Sequence, residues 1–182
     1  MSFSESAVSV WGVYCQLQKF VMIIVYGLNY GMIPILAYNW GAKHKDRIKE
    51  CFKFFLKLAI SVTFIGMLVF FMIPEKIISL FDVTNEVLIM GIHAFKILSL
   101  GFVFAGISLV LSSTFQAFGK GVYSLIVNLS RKIIFVLPTI LFLKDIFKVD
   151  AVWIGFAIAE ALTMIVATIL YRKIKKQIIE KI

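Results

Sequence analysis

The 182-residue chain has few charged residues, only three prolines and only two cysteines. Asp, Glu, Lys and Arg make up 16% of it, against about 25% in soluble proteins, and hydrophobic residues make up 61%, against about 45–50%. A soluble domain of this size has too little interior to bury so much apolar surface. The same composition excludes a disordered chain. We therefore expect an integral membrane protein.

The two cysteines, Cys15 and Cys51, are too few and too far apart for a disulfide framework or a metal-binding spacing. We find no nucleophile paired with a base, and residues 119–121 lack the flanking pattern of a phosphate-binding loop. We therefore expect neither an enzyme nor a bound metal or cofactor. Residues 1–7 carry no positively charged segment, so we do not expect a signal peptide.

Five apolar segments are long enough to cross a membrane as helices, which takes about 20 residues. We predict an all-α fold with one membrane domain, residues 1–182, and spans over residues 8–40, 47–73, 86–116, 122–143 and 151–172. Arg131 and Lys132 divide the fourth span near its middle. Pro34 and Pro138 remove backbone hydrogen bonds inside the first and fourth spans, so both are possible kinks.

Residues typical of helix ends lie between the spans. We expect Gly41 to end the first helix with a positive φ and Asp46 to cap the start of the second helix. Pro74 is expected to stop the second helix and to begin a short one. Thr84 or Asn85 is expected to cap the third span.

Lys and Arg are concentrated in alternate joints, and these joints should lie in the cytoplasm. The basic residues are Lys43, Lys45, Arg47, Lys49 and Lys53 in the first joint, and Arg172, Lys173, Lys175, Lys176 and Lys181 after the last span. We therefore predict a multi-pass protein of the cytoplasmic membrane, with the chain's N-terminus outside and its C-terminus inside. The net charge of +9 is then explained by orientation and anionic lipids rather than by nucleic acid.

Ionisable residues inside the spans are candidates for a substrate or cation pathway, because charge is costly in hydrocarbon. Glu160 lies near the middle of the fifth span, where desolvation favours uptake and release of a proton near neutral pH. The alternative is a permanent ion pair with Arg131 or Lys96 that only holds helices together.

Four further candidates lie on the third and fourth spans. Arg131 lies too deep to reach the interface, and Asn128 shares its helix face. His93 and Lys96 share a face near the outer end of the third span, where anchoring at the interface is the alternative interpretation.

Amides and small residues complete the candidate set. Gln16 and Gln18 in the first span are able to bond either a substrate or a neighbouring helix. One face of the third span is a stripe of small residues that indicates close helix packing. The stripe consists of Gly101, Ala105, Ser108 and Ser112, and it ends at Gln116.

Three stretches together resemble the multidrug and toxic compound extrusion (MATE) transporters. They are residues 27–43 (GLNYGMIPILAYNWGAK), residues 112–121 (SSTFQAFGKG) followed by YSLI at 123–126, and residues 151–160 (AVWIGFAIAE). The resemblance implies a fold of twelve helices in two six-helix lobes, which exchanges cations for organic solutes by alternating access. The five spans would then be helices eight to twelve, an incomplete C-terminal lobe.

The resemblance does not supply a cation site. In well-known branches the cation-binding carboxylates lie on the first helix, or on the seventh and tenth. The first and seventh helices are absent here, and the third span has no Asp or Glu after Glu86. Coupling to sodium or to protons therefore stays open.

We expect a lobe of a cation-coupled antiporter that exports amphipathic organic compounds or drugs. Its expected partners are an organic cation or drug-like substrate, sodium or a proton, membrane lipids and the missing N-terminal lobe. The alternatives are a lipid-precursor flippase of the same superfamily and a non-transporting membrane scaffold.

Overall fold

The computed structural model describes residues 5–176, in which every regular element is a helix. Lys181 lies outside the described residues. In chain order the elements are α1 (Glu5–Gly41), α2 (Lys45–Met72), α3 (Pro74–Ile78), α4 (Asn85–Ser99), α5 (Gly101–Ala117), α6 (Gly121–Leu129), a π-helical turn (Ser130–Ile134), α7 (Val136–Phe147) and α8 (Asp150–Ile174).

The long helices confirm the predicted all-α membrane fold. Among the described residues, α1, α2, the stretch Gly121–Phe147 and α8 are each long and apolar enough to cross a membrane, and the bent pair of α4 and α5 gives a fifth if the two helices are counted as one span. These bounds lie within a few residues of the five predicted ones.

The sequence predicted one continuous helix for the third span. The structure instead has two helices there, α4 and α5, which meet at an angle of 43°. At the junction, the Leu100 N–H donates to the carbonyl of Ile97, three residues back, at 3.3 Å. Gly101 then starts α5 close to α8, where a Cβ would lie 3.5 Å from Cγ of Glu160. The bend therefore lies at the point where the third and fifth spans approach each other.

The fourth span is interrupted before Pro138 rather than at it. The Phe135 N–H donates to the carbonyl of Ser130 at 3.0 Å, five residues back, which closes the π-helical turn. Pro138 itself lies in the first turn of α7, and α1 continues through Pro34 as one helix. Neither proline therefore separates two elements.

Some helix-end predictions are confirmed and others are wrong. Pro74 begins α3, and Thr84 caps α4 by accepting from the Val87 N–H at 3.5 Å. Asp46 does not cap α2, because it lies inside the first turn and pairs with Lys49 at 3.3 Å.

The expected positive φ at Gly41 is also wrong. Gly41 is the last residue of α1, and the positive φ, 59°, belongs to Lys43 in the following turn. In the joint between α5 and α6, Gly119 has a φ of 66°, a conformation that glycine adopts without steric cost.

α5 lies at the centre of the bundle and packs against α1, α2, α6 and α8. Next to it, an aromatic cluster joins Tyr14, Phe70, Phe95 and Phe102 with ring centroids 5.0–6.5 Å apart. At the opposite end of the bundle, Phe52 of α2 stacks on Tyr171 of α8 at 4.6 Å. The two basic clusters therefore lie at the same end of the molecule, as the predicted topology requires.

Buried hydroxyl groups bond within their own helices. Thr63 and Thr163 each donate to the carbonyl four residues back at 2.7 Å, and Thr114 does so at 2.8 Å. Such bonds satisfy hydroxyl groups where no water is available. These three hydroxyls therefore need no partner outside their own helices.

Gly106 lies at a tight contact between α5 and α2, since a Cβ there would lie 2.7 Å from Cγ2 of Thr63. We expect Gly106→Ala to destabilise the fold by about 1–3 kcal/mol, because overpacking outweighs the higher helix propensity of alanine. The measurement is the apparent Tm of the purified protein in detergent. Gly12→Ala is the control, since a Cβ at Gly12 would meet nothing within 4 Å. An equal or higher Tm for Gly106→Ala would contradict the packing described.

Candidate functional site

A cavity of about 340 Å³ lies between α1, α5, the π-helical turn and α8. One part of its wall is aromatic or aliphatic, and the other part carries amides, hydroxyls and charges. The apolar and aromatic residues are Trp11, Tyr14, Met22, Tyr26, Tyr30, Ile33, Leu98, Leu109 and Phe156. The polar ones are Gln18, Asn29, Ser112, Ser113, Gln116, Asn128, Arg131, Lys132 and Glu160. The cavity is therefore amphipathic.

An ion pair between Arg131 and Glu160 crosses one side of this cavity. Nε of Arg131 lies 3.3 Å from Oε2 of Glu160, and the two side chains are 10% and 16% exposed. Neither of these two atoms has a hydrogen-bond partner within residues 5–176, so their contact is electrostatic rather than a formed hydrogen bond. Of the two partners open to Glu160 from the sequence, the structure brings Arg131 to it.

The guanidinium is held from a second direction by α5. Nη2 of Arg131 donates to the carbonyl of Ala105 at 3.3 Å and to the hydroxyl of Ser108. The small side chains of the α5 stripe leave room for this approach. The stripe therefore has a second role beside the close packing expected from the sequence, because it accommodates a buried cation.

The π-helical turn sets the directions of the two adjacent cations. Arg131 is buried against α5 and α8, whereas Lys132 is exposed and borders the cavity. Short π-helical segments inside α-helices occur often at functional sites. The sequence signal for this turn was the pair of charges in the middle of the fourth span.

A neutral polar cluster borders the cavity further along α5. The hydroxyls of Ser112 and Ser124 lie 2.7 Å apart, and the Gln116 amide donates to Ser124 at 2.8 Å. Asn128 donates to Ser112 at 3.5 Å. This cluster fixes α6 to α5 and satisfies its own members.

Asn29 of α1 is the polar residue that sequence reasoning undervalued. It is 3% exposed, borders the cavity, and has no hydrogen-bond partner for either amide atom within residues 5–176. An unpartnered buried amide is costly unless something bonds to it. The sequence feature that could have identified Asn29 was its position inside an apolar run without charges.

The predicted site residues divide into two groups. Glu160, Arg131, Asn128 and Gln18 border the cavity. Gln16 and Lys96 are exposed side chains away from it.

His93 also lies away from the cavity, and its Nε2 is 3.5 Å from Oδ2 of Asp150. Within the described residues, no group of three or more His, Cys, Asp or Glu side chains is placed to hold a metal ion. The arrangement of an apolar and a polar wall suits binding of an amphipathic molecule.

Comparison with known proteins identifies related chains. The family model MatE matches residues 1–141. The chain is 22% identical to the multidrug export protein MepA of Staphylococcus haemolyticus and 25% identical to that of Staphylococcus aureus strain MSSA476, over 97% and 92% of its length. It spans only 39% and 37% of the length of these relatives.

Solved structures show the same fold. The MATE multidrug transporter DinF-BH superposes with a TM-score of 0.83 at 32% identity, over 92% of this chain and 38% of that one. The Vibrio cholerae MATE transporter VcmN in its bent form gives a TM-score of 0.89 at 19% identity, over 96% of this chain and 40% of that one.

Removing one member of the buried ion pair should cost far more than removing both. We expect Arg131→Met to destabilise the protein by about 3–5 kcal/mol, because it leaves the Glu160 charge uncompensated. The double variant Arg131→Met/Glu160→Gln should recover part of that loss. The measurement is a double-mutant cycle of thermal unfolding in detergent.

The matched control is the exposed pair of Lys49 and Asp46. Lys49→Met should cost at most about 1 kcal/mol, as is usual for surface pairs. Additive losses at Arg131 and Glu160 would show that the two side chains do not interact.

Proposed function

Because this chain belongs to the MatE family of membrane transporters, we propose that it contributes one lobe of a multidrug exporter that exchanges amphipathic, drug-like compounds for sodium or protons. The observation that carries this proposal is the cavity itself, since an aromatic wall faces a wall of amides and charges. A molecule with an apolar body and a polar group fits both walls. In this transporter, the lobe rocks against a second lobe to expose the cavity to either side of the membrane.

The names of similar proteins support an export role. The staphylococcal relatives are named multidrug export proteins, and DinF-BH is named a multidrug transporter. The chain spans less than half of each of these proteins. The transport activity proposed here therefore belongs to the assembled transporter rather than to the cavity alone.

Glu160 is the residue that we assign to the coupling cation. It is the one carboxylate among the described residues that border the cavity. Arg131 of the π-helical turn pairs with it at 3.3 Å, and Lys132 and Tyr14 border the same cavity. A sodium ion or proton that neutralises Glu160 weakens its attraction for Arg131. Cation binding thereby changes how α8 is held against the π-helical turn and alters the cavity.

We expect Glu160→Gln to abolish cation-driven export, because glutamine has no charge for a cation to neutralise. The measurement is dye efflux driven by an imposed sodium or pH gradient in cells that express the complete transporter. Glu86→Gln, at the exposed start of α4, is the control and should leave efflux unchanged. Normal efflux with reduced expression of Glu160→Gln would assign Glu160 to packing only.

We also propose that the protein lies in the cytoplasmic membrane. In this orientation the basic end of the bundle, which includes Lys120 and the joint between α1 and α2, faces the cytoplasm. The excess of Lys and Arg at this end supports that orientation. A single cysteine tests it in a background in which Cys15 and Cys51 are serine.

An Asp82→Cys variant should react with a membrane-impermeant maleimide in intact cells. Lys120→Cys should react only after permeabilisation. The reverse pattern would overturn the orientation without affecting the fold.

A further inference from the structure

Asn29 is a buried amide of α1 whose hydrogen-bonding atoms are not used inside the described chain. It is 3% exposed, it borders the cavity, and neither Nδ2 nor Oδ1 has a hydrogen-bond partner among residues 5–176. Asn39 on the same helix differs from it, because the Nδ2 of Asn39 donates to the carbonyl of Ile35 at 2.8 Å. Since so little of Asn29 is accessible, a group that bonds to it has to arrive through the cavity.

Ser113 of α5 is a second polar residue of the cavity wall without a bond in the part of the chain that the structure describes. It is 8% exposed and borders the cavity, but its hydroxyl makes no hydrogen bond with residues 5–176. The hydroxyls beside it are bonded, Ser112 to Ser124 and Thr114 to a carbonyl of its own helix. Asn29 and Ser113 therefore each offer a hydrogen-bond donor and an acceptor to a ligand.

Two ring contacts show that α1 and α5 run in the same direction. They join Tyr14 to Phe102 and Trp40 to Phe118, with ring centroids 6.2 Å and 5.7 Å apart. Asn29 is closer in sequence to the second contact than to the first, and so is Ser113. Both residues therefore lie in the half of the cavity that is nearer to the basic end of the bundle.

The carboxylate of the cavity lies in the other half. Glu160 lies beside Gly101, where a Cβ would be 3.5 Å from its Cγ, and Gly101 is the first residue of α5. Twelve positions separate Gly101 from Ser113, which is about 18 Å of helix. A group that bonds to Asn29 therefore leaves Glu160 to the coupling cation.

We propose that Asn29, together with Ser113, selects amphipathic compounds that carry an uncharged group with both a donor and an acceptor, such as a carboxamide, a lactam or a urea. This inference rests on the proposed export function and names the residues that recognise part of its substrate. A carboxamide pairs with the Asn29 amide through two N–H···O bonds while its aromatic body lies on Tyr26 and Tyr30, which also border the cavity. These bonds replace none inside the described chain, so their net free energy adds to the affinity.

The experiment compares two uncharged probes of the same shape. 2-Naphthamide carries a carboxamide, and 2-acetylnaphthalene has a methyl group in place of the NH2. Equilibrium dialysis of the complete transporter in phosphatidylcholine nanodiscs, with binding to empty nanodiscs subtracted, gives a Kd for each probe. We expect the amide to bind about fivefold to tenfold more tightly, because the ketone leaves one hydrogen bond of the site unmade.

Asn29→Leu tests whether that preference comes from Asn29. Leucine has a similar size and no hydrogen-bonding atom in its side chain, so the variant should bind the two probes equally. Asn39→Leu is the matched control, because Asn39 lies on the same helix, does not border the cavity and bonds to its own helix. An amide preference that survives Asn29→Leu, or that is lost to the same extent in Asn39→Leu, would overturn the proposal.

Thermal unfolding of the complete transporter separates this role from a structural one. An amide that has no partner in the ligand-free protein does not stabilise it, so Asn29→Leu should leave the apparent Tm unchanged or raise it. A Tm clearly below that of the unmodified protein would show that another part of the transporter bonds to Asn29. That result would also overturn the proposal.

The failure of this inference is distinguishable from the failure of the export function. If the amide has no advantage over the ketone while the complete transporter still exports dye, the role of Asn29 is wrong and the export function stands. If the complete transporter neither binds the two probes nor exports dye, both are wrong.

Discussion

The buried contact between Arg131 and Glu160 is the constraint on which the polar part of this molecule depends. A guanidinium or a carboxylate alone in hydrocarbon is strongly unfavourable, so each requires the other together with hydrogen bonds. The Ala105 carbonyl and the Ser108 hydroxyl supply those bonds to Arg131 from α5. Three spans therefore meet at one cation. The small side chains along α5 are necessary there, because larger ones would occupy the space of the guanidinium.

The irregular backbone of the fourth span lies beside this contact for a physical reason. A π-helical turn and the missing N–H of Pro138 leave carbonyl groups less fully bonded than in a regular α-helix. Such groups are tolerated at membrane depth only where protein or a polar cavity faces them. The cavity beside Arg131 and Lys132 meets that condition. Charge, broken helix and cavity therefore occur together because each makes the others less costly.

The fold was largely predictable from hydropathy, because a membrane allows only long helices whose apolar length is visible in the sequence. Pro74 and Thr84 act as local rules require. The bend at Leu100 was not predictable, since it depends on how closely Gly101 approaches α8. Local patterns also failed at Asp46, where pairing with Lys49 replaced the expected cap. For the candidate site, the position of Glu160 near the middle of a predicted span identified it from the sequence. Which cation pairs with it depends on how the helices pack, and this was not predictable.

The polar groups of the cavity differ in whether their hydrogen bonds are already made within the protein. Ser112, Ser124 and Gln116 already bond to one another, so a ligand that displaces their bonds gains little. The side chains of Asn29 and Lys132 have no such bonds within the described residues. A ligand that bonds to them removes the free-energy cost of leaving these polar groups without a partner. Affinity in this cavity should therefore come from the unsatisfied groups and the aromatic wall, whereas the satisfied cluster defines its shape. A transporter for varied compounds benefits from this division, because few fixed contacts are imposed on the rest of each ligand.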